Sequence, residues 1–516
     1  MIRRLFVFFL LITVPLYSVK PVIAFYPEPV SFMQEEDWFL HTVEQGQTVY
    51  SIARMYSVSV DAIYRLNPGS MDGIKIGAQL KIPQESGSYF YHAIQPKETL
   101  YSVSRMYQMK GEDIMGANPG LSIETFSTGQ VIRIPTNRVT TPMTGPSEEY
   151  VRNTTNALLN SPAQPETVNT IRIALLLPLA SNSRMVEYYE GFLLALEDIK
   201  KQGISVNLQV YDIGQGIDLL PAILQKPSMQ QLHLIIGGFS EKQIRLIADF
   251  SREQTVPYVT FTSRGDESVA YSNVYQINTP QSYLNSKASA AFCDKYRNAT
   301  IVFHVPSVPG NRADFIQTVQ KDLKTKNIPY KVLANDEISA SDLSAFLDIN
   351  KHTVFVPSDD GAEALSKLII PLRTALDLNS QISVSLFGYP AWQVSGADYL
   401  NDLFRFNATF YSMFYANTTS VKFKTFYNNY MYWFAKELIN TYPKYGLLGY
   451  DTGMFFIQGL SRYGSAFAAH ISRFHYSGVQ IDFHFERVNN WSGFINTNLY
   501  LVDFLPNGTI TSNSVK

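Results

Sequence analysis

Residues 41–83 read HTVEQGQTVYSIARMYSVSVDAIYRLNPGSMDGIKIGAQLKIP, and residues 92–135 read HAIQPKETLYSVSRMYQMKGEDIMGANPGLSIETFSTGQVIRIP. Laid over each other they keep an offset of 51, which widens to 52 through one insertion before the closing proline. His41/His92, Thr48/Thr99, Tyr50/Tyr101, Tyr56/Tyr107, Asn67/Asn118, Pro68/Pro119, Gly69/Gly120 and Gly77/Gly129 all coincide, a register beyond chance. Self-similarity of this kind means one supersecondary unit used twice. In the first copy Thr48 predicts a helix N-cap, and Val49, Ile52, Ala53 and Tyr56 fall at i, i+3, i+4 and i+7 on one helical face. Ser59 predicts a second helix start with Val60, Ile63 and Leu66 facing inward, and Pro68 stops that helix at Asn67. Gly77 turns the chain into a closing strand that Pro83 ends. Each unit therefore reads as strand, helix, helix, strand.

The His41-x-Val43 start, the Gly46-Gln47-Thr48-Val49-Tyr50-Ser51-Ile52 core, Asn67-Pro68-Gly69 and the ending Gly129-Gln130-Val131-Ile132-Arg133-Ile134-Pro135 together closely resemble the LysM family. Members are small βααβ modules that bind N-acetylglucosamine-containing glycans of peptidoglycan or chitin. The resemblance implies a sugar groove between the loop entering helix one and the loop leaving helix two. That places Gly46, Gln47, Thr48 and Val49 with Asn67, Pro68 and Gly69 in the first copy. In the second it places Lys97, Glu98, Thr99 and Leu100 with Asn118, Pro119 and Gly120. The family's usual Gly-Asp-Thr is Gly46-Gln47-Thr48 here and Lys97-Glu98-Thr99 in the second copy, and Gly111 and Gly116 weaken the second copy's second helix. The thr and asn side chains also have an ordinary use as helix caps.

Upstream, residues 1–24 carry Arg3 and Arg4, an apolar run from 5 to 16, and Val22-Ile23-Ala24, the layout of a secretory signal peptide cleaved after Ala24. The expectation is an exported chain of the bacterial periplasm or cell envelope, with no stable membrane anchor after cleavage. Residues 136–170 are rich in Thr, Asn, Ser and Pro and read as a polar, semi-flexible linker.

Beyond it, apolar strands alternate with amphipathic helices, the pattern of βαβ units and parallel sheets. The strands expected are 172–178, 205–211, 232–237, 258–262, 299–304, 331–334, 353–357, 383–387 and 410–414. The order, with Ile235-Ile236-Gly237-Gly238-Phe239-Ser240 and Gly449-Tyr450-Asp451-Thr452, resembles the type I periplasmic-binding-protein fold over residues 171–516. The expected fold class is α/β multidomain: two βααβ LysM modules (41–83, 91–135), then a two-lobed Rossmann-like domain with crossovers near Thr279 and Asn407. That resemblance implies an inter-lobe cleft at the carboxyl ends of the strands, lined by Phe239, Ser240, Thr262, Ser263, Ser358, Asp359 and Tyr389. The loop 306–311 has no aromatic residue, which weakens the case for a small ligand. Members of this fold also bind proteins, including envelope activators of peptidoglycan synthases, so a cell-wall synthase is one partner the resemblance implies.

Composition bounds the alternatives. Lys+Arg 42 against Asp+Glu 44 leaves a net charge of -2, without the basic footprint of a nucleic-acid binder. A single cysteine, Cys293, rules out an intramolecular disulfide and a cysteine-built metal site, and nothing calls for a cofactor. A cysteine peptidase needs its thiol at an exposed helix start with a histidine partner; Cys293 sits in an apolar helix. His470 and His475 lack the HExxH spacing of a metallopeptidase, His484 stands alone, and His233 falls inside an expected buried strand. Asp359-Asp360 is a weak glycosidase pair. The reading is a non-catalytic envelope protein that binds peptidoglycan and presents its second domain to a protein or small ligand. The alternatives are an amino-acid-like solute receptor and a peptidoglycan hydrolase.

Overall fold

Both repeats fold as their periodicity demands. The computed structural model describes residues 38–84, 87–136, 147–160, 163–261, 270–308, 310–395 and 397–515. The signal-peptide reading of residues 1–24 lies outside them. In the first module β1 (Trp38–Thr42) pairs antiparallel with β2 (Gln79–Pro83), around helices α1 (Val49–Tyr56) and α2 (Val60–Leu66). In the second, β3 (Tyr89–Ala93) pairs with β4 (Val131–Pro135) around α3 (Leu100–Met106) and α4 (Gly111–Ala117). Thr48 and Thr99 each form a reciprocal capping box with the serine three residues on, Ser51 and Ser102. Val49, Ile52, Ala53 and Tyr56 are all buried, as their spacing predicts.

The expected linker is not a free tether along its described length. Ser147 caps helix α5 (Glu148–Ala157), which packs on the second module, with Leu158 and Leu159 joining that module's core. Residues 166 and 168 then bond to the helix Tyr445–Tyr463 through Glu166 N–H and Val168 N–H. No periodicity betrayed this helix because its packed face is built from small polar residues such as Thr155 and Asn156.

The remainder forms two seven-stranded sheets. In the first, β5 (Thr170–Leu177), β6 (Ser205–Asp212), β7 (Leu234–Gly237), β8 (Tyr258–Thr260) and β9 (Val274–Gln276) run parallel in the order 6-5-7-8-9. In the second, β10 (Thr300–His304), β11 (Tyr330–Leu333), β12 (Thr353–Pro357), β13 (Val384–Gly388) and β14 (Thr409–Ser412) repeat that order as 11-10-12-13-14. Each lobe thus has the doubly wound 2-1-3-4-5 topology, in which ligand clefts open at the carboxyl ends of the strands. The last strands are shared out. The hairpin β15 (Phe485–Arg487) and β16 (Phe494–Asn496) extends the first sheet beside β9, while β17 (Tyr500–Phe504) and β18 (Ile510–Ser514) extend the second beside β14.

The chain therefore crosses between lobes three times: after β9, after β14, and between β16 and β17. The second crossing falls after Ser412 and not at Asn407, because Thr409 to Ser412 still pair with the second sheet. The helix Val421–Phe434 stops where Ala435 turns into the left-handed region at φ 50°. Helices Ser183–Lys201 and Tyr445–Tyr463 touch backbone to backbone. A Cβ on Gly191 would stand 1.8 Å from the Gly446 carbonyl oxygen, so only glycine permits that approach.

The modules are fused to this domain through one apolar cluster. Trp491, at the tip of the β15–β16 hairpin, lies 5.9 Å from the Tyr56 ring and 5.7 Å from Tyr91, so it joins both modules. The Arg133 guanidinium stacks 4.7 Å over Trp491 and 4.9 Å over Tyr89. On the second lobe, Lys321 Nζ donates to the Ile74 carbonyl at 2.6 Å.

Candidate glycan grooves and inter-lobe cleft

Each module is organised by a histidine. Gln47 Oε1 accepts the Glu44 N–H at 2.9 Å and lies 2.7 Å from His41 Nε2, which fixes the proton on Nε2. Nδ1 is then an acceptor, and the Tyr56 hydroxyl donates to it at 2.8 Å. Burial holds the His41 pKa below the usual imidazole value, with the Gln47 hydrogen bond opposing. The second module repeats the geometry with a carboxylate: Glu98 Oε2 accepts the Gln95 N–H at 2.7 Å and meets His92 Nε2 at 2.7 Å, and Nδ1 lies 3.0 Å from Tyr107 Oη. Burial, with the Glu98 charge second, pushes the Tyr107 hydroxyl up to about 12.

Most side chains expected in the sugar grooves are spent inside the modules. Gln47 is buried, and Gln47 and Glu98 are the histidine struts. Asn67 ties α2 to β2, donating to the Ile63 and Lys81 carbonyls and accepting the Lys81 N–H. Asn118 does the same with Ile114 and Arg133. Val49 and Leu100 are core residues. Gly46, at φ 79°, packs its backbone on the Tyr283 ring, and its counterpart Lys97 holds the same left-handed conformation at φ 71°. Gly120 donates its N–H to the Asn490 carbonyl at 2.7 Å and abuts Arg487. A module of about 45 residues has too small a core to hold its loops without such polar struts.

Thr48, Thr99, Pro68, Pro119 and Gly69 remain at the surface, and nothing lies within 4 Å of a Cβ placed on Gly69. Tyr50, beside Thr48 at this lip, is 58% exposed and was not among the expected groove residues. Its signal was present in the Tyr50/Tyr101 coincidence, which reads equally well as a mark of register.

In the larger domain, the five expected cleft residues that the structure describes are not brought together. Phe239 and Ser240 line a cleft of about 870 Å³ on the first lobe, with Glu241, Lys242, Phe261, Asn278 and Tyr445. Its helix N-terminus, that of Glu241–Glu253, is already closed by the chain itself. Ser240 and Gln243 form a capping box, and Gln243 Nε2 donates to the Gly214 and Gly216 carbonyls. Thr262 and Ser263 lie outside the described residues. Ser358 and Tyr389 are buried within the second lobe, Tyr389 donating to the Pro357 carbonyl at 2.5 Å. Asp359 accepts from the Asn311 and Gly361 N–H groups. Over them Arg312 pairs with Asp360, Nε to Oδ2 at 2.9 Å, and lies 5.5 Å from the Tyr389 ring. None of these three lines the first-lobe cleft, and the Tyr389 ring packs against Phe315 and Tyr411 instead.

Among the described residues, no group of three His, Cys, Asp or Glu side chains is placed to hold a metal ion. Cys293 is buried, and burial pushes its thiol up to about 11. No helix of the described residues is long and apolar enough to cross a membrane.

Two small βααβ modules, each with a polar loop lip over a histidine strut, are joined to a two-lobed α/β domain. The LysM domain model matches residues 41–83 and 92–135, so the chain carries two LysM domains. A Bacillus subtilis protein, YdhD, described as a candidate sporulation-specific glycosylase, is 33% identical over 97 residues. The match spans 19% of this chain and 22% of that relative, so this chain covers about a fifth of the relative's length. Solved structures align with the larger part of the chain. A branched-chain amino acid ABC transporter protein from Rhodospirillum rubrum shares 12% identity, covering 67% of this chain and 100% of that one at a TM-score of 0.48. LpoA from Haemophilus influenzae shares 13%, covering 68% and 60%, at 0.45.

Proposed function

We propose that this is an exported cell-envelope protein that binds N-acetylglucosamine-containing peptidoglycan through its LysM modules and presents the two-lobed domain to an envelope protein. The carrying observation is the first module's open lip, with Thr48, Pro68 and Gly69 at the surface of a module anchored by Trp491 to that domain. A wall reader welded to its neighbouring domain holds that domain at a fixed height over the glycan. We read the chain as non-catalytic: the thiol is buried, and the His484 imidazole meets Glu486, at 3.1 Å, in a pair exposed to solvent. The full chain should sediment with purified sacculi and release no soluble muropeptides. Gly69→Trp, which fills the lip without meeting a neighbour, should leave the chain in the supernatant. Retention of that variant on sacculi sinks the assignment of the lip.

The cleft of about 870 Å³ beside Phe239 and Ser240 favours a second reading, a receptor for a small solute. A ligand bound there raises the melting temperature by mass action. A thermal-shift series over amino acids and small organic acids separates the two readings, and no shift is expected.

A further inference from the structure

The two modules differ most at the start of their first helix. A helix leaves its first N–H groups without intrahelical partners. In α3 the Ser102 N–H goes to Thr99 Oγ1 at 3.1 Å and the Val103 N–H to the Thr99 carbonyl at 3.0 Å. The Tyr101 N–H, between Leu100 and Ser102, is taken at 3.0 Å by the side-chain oxygen of Asn156 on α5. The Tyr101 hydroxyl donates to Glu148 at 3.0 Å, and Thr155 is buried against Gly111 in the same contact. In α1 the Ser51 and Ile52 N–H groups have the matching partners, at 3.1 and 2.9 Å. Among the described residues, however, nothing accepts from the Tyr50 N–H, and the Tyr50 ring stands in solvent.

The group that Asn156 offers is a carboxamide, the same planar C=O and N–H arrangement as the acetamido substituent of an N-acetylated amino sugar. We propose that Asn156 occupies, in the second module, an acetamido seat that stays open in the first at the Tyr50 N–H. The chain then reads glycan with its first module only, and α5 is the second module's internal ligand. The inference rests on the glycan reading above and sharpens it. The Tyr50 N–H needs a carbonyl acceptor, so N-acetylated sugars bind and their deacetylated counterparts, which carry an ammonium at that position, do not. The exposed Tyr50 ring lies where it can cover the apolar face of the same sugar.

Titration calorimetry on the full chain tests this with two probes, the N-acetylglucosamine tetramer and the glucosamine tetramer. One site per chain is expected for the first, with at least tenfold weaker binding of the second. Tyr50→Pro deletes the N–H and Tyr50→Ala keeps it, so the proline variant should bind at least fivefold more weakly than the alanine variant. Because a residue preceding proline resists helical geometry, its melting curve is recorded alongside. The double variant Glu148→Ala/Asn156→Ala leaves α1 untouched and should raise the stoichiometry from one to two. Two sites in the unaltered chain, or one site persisting in the double variant, overturns the proposal and leaves the glycan reading standing. Absence of binding in both overturns the glycan reading and the proposal together.

Discussion

The two LysM modules share fold, caps and histidine strut, yet one is open and the other is dressed by its own chain. The first exposes Tyr50 and leaves Gly69 free, while the second has α5 against Tyr101 and the hairpin residue Asn490 against Gly120. Repetition in sequence therefore does not mean repetition of surroundings. Both modules pack against the larger domain; the second also carries the linker helix, and the first keeps a free lip.

The largest expected effect comes from removing what the modules have in common. Trp491 is 2% exposed and meets Tyr56 of the first module and Tyr91 and Arg133 of the second. Trp491→Ala should cost about 3–5 kcal/mol, the usual range for emptying a buried aromatic site. Urea unfolding of the full chain reads this loss, and limited proteolysis should release residues 38–136 as a fragment. Unchanged stability would mean that the modules are independent beads, and the contrast drawn above would lose its platform.

A paired substitution breaks the comparison at one position. Gly46 and Lys97 hold the same left-handed backbone, but an added Cβ on Gly46 would come within 2.5 Å of the Tyr283 ring. Gly46→Ala should destabilise by about 1–3 kcal/mol through overpacking and strain. Lys97 is exposed and already carries that strain, so Lys97→Gly should stabilise by about 1 kcal/mol. The signs should be opposite in thermal unfolding. Equal signs would show that the two loops are equivalent after all.

What could be read in advance follows from how far each signal reaches along the chain. The repeats declared themselves because caps, apolar stripe and stop all lie within one module. Nine strands of the two lobes, β5 to β8 and β10 to β14, followed from apolar runs bounded by turns, although β8 is shorter than its run. The strands β9, β15 and β16 were missed because they are three residues each, too short to carry a periodic signal of their own. The β17–β18 hairpin did have a local signal, Asn507-Gly508 between two strands, which favours a tight turn. The site was less legible than the fold. Gln47, Asn67 and Asn118 look like sugar contacts in one dimension, and only the placement of His41, Lys81 and Arg133 shows that their hydrogen bonds are already used. Ser358 and Tyr389 are buried for a related reason: strand ends mark where a cleft can open, and side-chain packing from elsewhere decides whether it does.

The smallest expected effect is the sharpest probe of the shared strut. His41 is held neutral by burial against an uncharged Gln47, and its pKa lies below the ordinary value of 6.5. As pH falls through about 6.5 the unfolded chain takes up a proton that the folded module refuses, so stability falls on acidification. Gln47→Glu converts the strut into that of the second module, placing a carboxylate where Gln47 Oε1 now meets Nε2 at 2.7 Å. The carboxylate favours the charged imidazolium and raises the folded pKa. Once that pKa exceeds the unfolded value the sign reverses: the stabilisation is complete at low pH and fades as pH rises through the folded pKa. Protonation also turns Nδ1 from acceptor to donor, so the Tyr56 hydroxyl must rotate to accept at the 2.8 Å now observed. An NMR titration of the His41 ring, with melting temperatures taken from pH 5 to 8, should show the raised pKa and the reversed slope together. A raised pKa without the reversal would place the pH sensitivity of the first module elsewhere than in this histidine.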